Sequence, residues 1–178
     1  MKENFDTCFE LLLMHEGGYV NDPRDRGGMT NLGVTRRALE KWLGSSVSEE
    51  KMRGLTPELV KPFYRSEYWN KIKGDDLPLG VDWSVFDWAV NSGNSRPVKA
   101  LQHIIGATED GILGSRTLAK LEEFDPKEVI VDMYATRKAF YNGLAGFQTF
   151  GKGWARRNEE TMHQALEMII DANVKGSD

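Results

Sequence analysis

From Thr35 onward the chain is punctuated at short intervals: a hydroxyl or an Asp-Pro pair stands ahead of an apolar-periodic stretch, and a glycine or a turn follows it. An oxygen ahead of a helix accepts from an otherwise unpaired backbone N–H, and a glycine past its end takes the conformation that stops it. A chain punctuated in this way is written as a succession of short helices. Thr35 caps "RRALEKWL" before Gly44, and Ser48 caps a short turn before Gly54. Thr56-Pro57 opens a longer helix through "ELVKPFYRSEYWNKI", which Pro62 should kink or start late. In "LGVDWSVFDWAVNSG", Val81, Val85, Trp88 and Ala89 share one face and Gly93 ends the run, so it reads as a central, mostly buried helix. Ser95 caps "RPVKALQHII", and Ser115 caps the helix after the "ATEDGILG" loop. Asp125-Pro126 with Glu128 forms a capping box for the helix that carries Tyr134 and Arg137. A last helix runs from about Lys152 to Val174.

The start of the chain differs. Phe5, Phe9, Leu12 and Leu13 fall at helical spacing over residues 4–16, and Gly17-Gly18 supplies the stop. Glu16 continues that stripe, four residues after Leu12, so it projects from the edge of the buried face. From Tyr19 to Val34, turn residues including Asp22-Pro23 and Gly27-Gly28 replace helical periodicity, which predicts a loop or small hairpin. The expected fold is mainly α: seven or eight helices with one short irregular hairpin near the N-terminus. No linker, low-complexity run or fixed-period repeat interrupts the 178 residues. One compact domain over 1–178 is expected, with a motif-bearing half over 1–92 and a helical half over 93–178.

The formal net charge of −4 argues against a protein that grips nucleic acid by bulk electrostatics, and Arg156-Arg157 is too short a basic patch to reverse that. Cys8 is the single cysteine, set among Phe5, Phe9 and Leu12 as a small buried hydrophobe, so no intrachain disulfide is expected. Three scattered histidines without an HxxxH or HxxE pattern offer no metal site, and no Walker loop or Gly-x-Ser-x-Gly elbow is present, so no cofactor is expected. The N-terminal apolar stretch is broken by Asp6 and Glu10 and is not read as a signal peptide. No run reaches the roughly 18 apolar residues a bilayer span requires.

The chemistry concentrates in "HEGGYVNDPRDRGGMTNLGVT", residues 15–35. A carboxylate on the apolar side of a helix end is costly to ionise, which suits Glu16 to donate a proton. Asp25, nine residues later between Arg24 and Arg26, is expected to stay ionised in a polar loop. Two carboxyl groups driven to different protonation states are what glycoside hydrolysis uses: one protonates the leaving oxygen, the other activates water or stabilises the sugar cation. Thr30 would orient the water. A structural reading stands beside this one, with Glu16 a salt-bridged helix terminus, Asp25 a turn residue and Thr30 a capping hydroxyl. Asp22 is a rival to Asp25, although Asp-Pro is a common turn starter.

The same stretch closely resembles the signature of glycoside hydrolase family 108, a group of phage and bacterial N-acetylmuramidases, some named secretion activators. The resemblance implies a lysozyme-like fold and Glu16 as the catalytic acid. The wider Glu, eight residues, Asp, then Thr pattern is similar to that of phage lysozymes and implies Asp25 and Thr30 as its partners, although in those enzymes the Thr commonly falls one position later. "YRSEYWNKI" and "FDWAVNSG" resemble the family's later helices, and "VNSG" resembles a segment that borders the sugar cleft of lysozyme-like folds, which brings in Asn91 as a substrate contact. "VKALQHIIGATEDGILGSRTLAKL", with Gln102, resembles a peptidoglycan-binding region, and "FGKGWARRNEE" resembles the closing helix of phage lysozymes. Tyr134 and Arg137, at helical spacing, could wall the cleft. Asn91 is also read as a helix cap, Gln102 as a core-edge hydrogen bonder, Arg137 as an Arg held by a structural partner, and Trp69, Trp83 and Trp88 as core.

The resemblance implies hydrolysis of the β-1,4 bond between N-acetylmuramic acid and N-acetylglucosamine, with the glycan strands of peptidoglycan as partner. The rival is a non-catalytic peptidoglycan-binding or secretion-accessory protein; a lytic transglycosylase would need the acid but not Asp25. The chain is expected to be made in the cytoplasm and to reach the periplasm or cell wall through a holin or secretion machinery. Oligomeric state is not legible.

Overall fold

A computed structural model of the chain describes residues 4–21 and 28–175. Among them the elements run α1 (Asn4–His15), β1 (Thr30–Asn31), β2 (Val34–Thr35), α2 (Arg36–Leu43), α3 (Glu49–Arg53), α4 (Pro57–Tyr64), α5 (Val81–Ser92), α6 (Ser95–Ile104), α7 (Ser115–Leu121), α8 (Pro126–Asn142) and α9 (Phe147–Lys175). A π-helical turn over Arg65–Trp69 and a 3-10 turn over Gly74–Asp76 lie between α4 and α5. The mainly helical class with one hairpin near the N-terminus is as the sequence predicts. Among the described residues no helix is long and apolar enough to cross a membrane.

The chain divides into two compact units, Phe5–Glu67 and Tyr68–Asp178, the second also taking in the N-terminal segment through Asn4. The division at 67/68 departs from the expected halves at 92/93, because α5 packs on α6, α8 and α9 and so belongs with the later helices.

In the first unit the apolar stripe of α1 buries Phe5, Cys8, Phe9 and Leu12. Its rings continue into α4: Phe9 and Tyr64 lie 5.7 Å apart between centroids, and Phe63 packs edge-on against Trp42 of α2. Thr35 Oγ1 accepts from Ala38 N at 3.2 Å and Ser48 Oγ from Lys51 N at 3.1 Å, so both caps form where the hydroxyls predict them. Pro62 does not delay the helix, which starts at Pro57. It sits within α4, and the widened π turn follows immediately after Tyr64. Such a turn accommodates a residue that does not fit the α-helical ladder.

In the second unit, α5 is buried all round from Val81 to Ala89, with Trp83 and Trp88 in the core together with Trp69. Two carboxylates, Asp82 and Asp87, are buried with it. Asp82 accepts from Gly80 N and Trp83 N at 2.8 and 2.7 Å and from Asn4 Nδ2 at 2.6 Å, which ties the beginning of the chain to α5. Asp87 receives Arg137 Nη1 at 2.6 Å, Arg157 Nη2 at 2.7 Å and Thr161 Oγ1 at 3.1 Å, joining α5, α8 and α9 through one carboxylate. Burial pushes the Asp87 carboxyl up, but the two guanidinium groups outweigh it and hold it at about 2.

The starts of α6, α7 and α9 differ from those expected. α6 and α7 begin at Ser95 and Ser115 themselves, with Asn94 and Gly114 in the cap positions and no side-chain cap bond at either. α9 starts at Phe147, earlier than expected, carrying its helix through Gly151, whose Cα rests against the Phe147 ring.

Candidate active site

Glu16 follows the last helical residue of α1, and its N–H still donates to Leu13 O at 3.2 Å, so the apolar stripe aims it as the sequence predicts. The side chain is half-buried. The backbone beyond it returns as a hairpin: β1 and β2 pair antiparallel with Asn31 opposite Val34 and Thr30 opposite Thr35. The connecting residues Leu32 and Gly33 both have positive φ, 49° and 74°, as a type I′ turn requires. Leu32 N donates to Gly17 O at 3.2 Å, which brings the tip of this turn back to the end of α1.

At that tip Gly33 is favoured for a second reason. A Cβ there would overlap Glu16 Oε2 and stand 2.5 Å from Tyr64 Oη and 2.7 Å from Glu16 Cδ. The Glu16 carboxyl and the Tyr64 hydroxyl therefore converge over the Gly33 Cα. Tyr64 Oη donates to Leu32 O at 2.8 Å, so the same phenol fixes the turn and lies beside the acid. The hairpin is buttressed from α3. Asn31 Nδ2 donates to Met52 O at 2.8 Å, Tyr19 Oη donates to Glu49 Oε1 at 3.0 Å, and the Arg53 guanidinium covers the Tyr19 ring at 4.2 Å. The Arg53 hydrogen bond, followed by that of Tyr19, lowers the Glu49 carboxyl below its ordinary range.

Thr30 is half-buried and held on both sides by backbone. It exchanges two bonds of 2.8 Å with Val20 and pairs with Thr35. The Val20–Thr30 pair closes the chain on either side of residues 21–29. Asp25 and its rival Asp22 lie outside the described residues.

The remaining candidates belong to the second unit. Asn91 is exposed near the end of α5, with its Nδ2 donating to Asp87 O at 2.7 Å. Gln102 is fully buried, and its amide is committed to the protein. Nε2 donates to Asp110 Oδ1 at 2.7 Å and Ile112 O at 3.1 Å, while Oε1 accepts from Gly111 N at 2.8 Å. Arg137 is 2 % exposed and ion-paired to Asp87, with Nε donating to Tyr141 Oη at 2.8 Å. Both geometries are those of core hydrogen bonders rather than of sugar contacts. Tyr134 is half-buried, and the cavity it lines with Arg137, about 10 Å³, has room for one water molecule rather than a sugar ring.

Sequence reasoning missed Gly33, Tyr64, Asn31 and Tyr19. The signal available was "NLGVT", where a glycine between two short β-prone pairs marks a tight hairpin turn.

The first unit thus presents the Glu16 carboxyl from a helix end against a hairpin tip, in a chain whose mainly helical fold is lysozyme-like. Residues 9–93, which include Glu16, Thr30, Gly33, Tyr64 and Asn91, match the family model described as Glycosyl hydrolase 108. Among solved structures the chain is similar to that of Brucella abortus SagA, at 40% identity with a TM-score of 0.85, covering 94% of this chain and 97% of that one. A search of curated proteins returns no match. The chain belongs to the glycosyl hydrolase 108 family.

Proposed function

We propose that the chain is an N-acetylmuramidase that hydrolyses the β-1,4 bond between N-acetylmuramic acid and N-acetylglucosamine in peptidoglycan. The observation that carries this reading is the placement of the Glu16 carboxyl over Gly33 beside the Tyr64 hydroxyl, at the end of an apolar helix stripe. Glu16 donates its proton to the glycosidic oxygen as the bond to the anomeric carbon breaks. Asp25 activates or positions the water that attacks that carbon, and Thr30, fixed by its two ladders, holds the water. Asn91, exposed on α5, is the substrate contact among the later residues. The enzyme acts on the cell wall and is exported or released to reach it.

The test is release of soluble muropeptides from purified peptidoglycan by the wild-type chain and by Glu16→Gln, with mass spectrometry of the products. The wild type should yield products ending in reducing N-acetylmuramic acid, and Glu16→Gln should lose at least about 100-fold in rate, the scale of a general-acid contribution, while keeping its melting temperature. Anhydro-ended products would reassign the chain as a transglycosylase. No release by either protein, with sacculus binding intact, would leave a binding or secretion-accessory protein.

A further inference from the structure

The aromatic side chains of α5, α8 and α9 form a continuous run in the second unit. Ring centroids are 6.1 Å apart for Trp88 and Phe140, 5.6 Å for Phe140 and Tyr141, 5.4 Å for Tyr141 and Trp154, and 5.9 Å for Trp154 and Phe150. Against the middle of this run opens a cavity of about 280 Å³, walled by Phe140, Tyr141 and Trp154 and edged by Asn91, Ser92 and Arg96. Its lining contains no Asp or Glu, and Arg96 is its one charged side chain.

Arg96 is exposed and oriented without being neutralised. Its guanidinium lies 4.4 Å above the Phe140 ring, and Nη1 donates to Ser92 O at 3.2 Å. Neither contact cancels the charge, and among the described residues Arg96 has no acidic partner. In a chain of net charge −4 this is a local positive site in an aromatic hollow. The walls are set from below, because Tyr141 Oη accepts from the buried Arg137, itself ion-paired to Asp87. Asn91 turns its Nδ2 back to Asp87 O, which leaves its amide oxygen as an acceptor at the rim.

A planar guanidinium stacked on an aromatic face keeps its outward N–H groups for two-pronged binding of a carboxylate, while the rings cover the carbon skeleton that bears it. A neutral sugar would use the rings but gain little from the cation. We infer that this pocket binds a carboxylate of the peptide stems attached to peptidoglycan strands. The inference rests on the proposed substrate polymer and is independent of which residue protonates the glycosidic bond.

The experiment uses the full chain carrying Glu16→Gln, so that turnover is silenced, and measures calorimetric binding to soluble glycan strands with their peptide stems intact and to strands stripped of stems by an amidase, with the lactyl carboxylates that the cleavage frees capped as methyl amides. The parent should bind stem-bearing strands more tightly. Arg96→Gln should weaken that binding about tenfold, as expected for loss of a charge-assisted contact, and leave stripped strands unchanged. Arg96→Lys should fall between them, and added salt should weaken only stem-bearing binding. Equal binding of both strands by the parent, or equal losses on both by Arg96→Gln, would overturn the inference and assign the pocket to glycan or to the fold. If Arg96→Gln does not fold, competition by free stem peptide decides: displacement by the peptide supports the pocket, and none refutes it. Muropeptide release by the wild type scores the muramidase separately, so a chain that binds stems without releasing muropeptides keeps this site and loses that activity.

Discussion

At the scale of single residues, Gly33 carries the most consequence per atom. Its φ of 74° disfavours any side chain, and the space a Cβ would take is filled by Glu16 and Tyr64. Gly33→Ala should therefore cost about 1–3 kcal/mol of stability, and its muropeptide release should fall further than the lost stability explains, because the shifted group is the Glu16 carboxyl itself. Urea unfolding set beside the release assay separates the two effects. Glu16 was legible because its position follows from helical spacing alone. The need for Gly33 was not, since it depends on Tyr64, a partner far along the chain. Arg137 shows the reverse limit: helical spacing placed it on a face, but whether that face meets a buried carboxylate or an open cleft is decided by Asp87 on another helix.

At the scale of elements, the helix signals read well wherever a hydroxyl actually accepts a cap bond, as at Thr35 and Ser48. They slipped by a residue at Ser95 and Ser115, where no such bond forms and the preceding Asn94 and Gly114 take the cap positions. α9 begins earlier than expected, and its helix runs through Gly151, where the Phe147 ring closes onto it. The α6–α7 connection shows what one side chain does for an element. Gln102 organises residues 110–112 through both ends of its amide. Gln102→Leu should strand those polar partners, at about 1–3 kcal/mol, and speed amide hydrogen exchange across residues 106–114 while α8 keeps its protection. Unchanged exchange in that loop would show that its backbone holds itself.

At the scale of the whole molecule, the two buried aspartates make stability depend on pH in opposite directions. Burial raises the Asp82 carboxyl to about 6 despite its hydrogen bonds to Asn4, Trp83 and Gly80. The folded state therefore holds that proton more tightly than the unfolded chain. Its contribution is full below the unfolded value near 3.8 and is lost as pH rises through about 6. Asp87, held at about 2, contributes fully above its unfolded value of 3.8 and is lost as pH falls towards about 2. Each amounts to about 2–3 kcal/mol. Melting temperatures between pH 4 and 7 should thus decline for the wild type through the Asp82 window, and Asp82→Asn, which keeps an acceptor for Gly80 and Trp83 without titrating, should flatten that decline. A decline that persists in the variant would place the titrating group elsewhere.

The partners of these two carboxylates also bear on the order in which the chain is made. Asp82 is bonded to Asn4, which also lies 3.9 Å from the sulfur of Met168, while Asp87 draws on Arg157 and Thr161. Both acids leave the ribosome long before α9 does. During synthesis Asp87 lacks Arg157 and Thr161 until the closing helix emerges, and Asn4 meets Met168, 164 positions later in the chain, only after most of α9 has been made. The first unit, Phe5–Glu67, is continuous in sequence and complete by then. The second can finish folding only after α9 has emerged, so a nascent chain stalled before residue 157 would carry one finished unit and a second whose central acid lacks two of its partners.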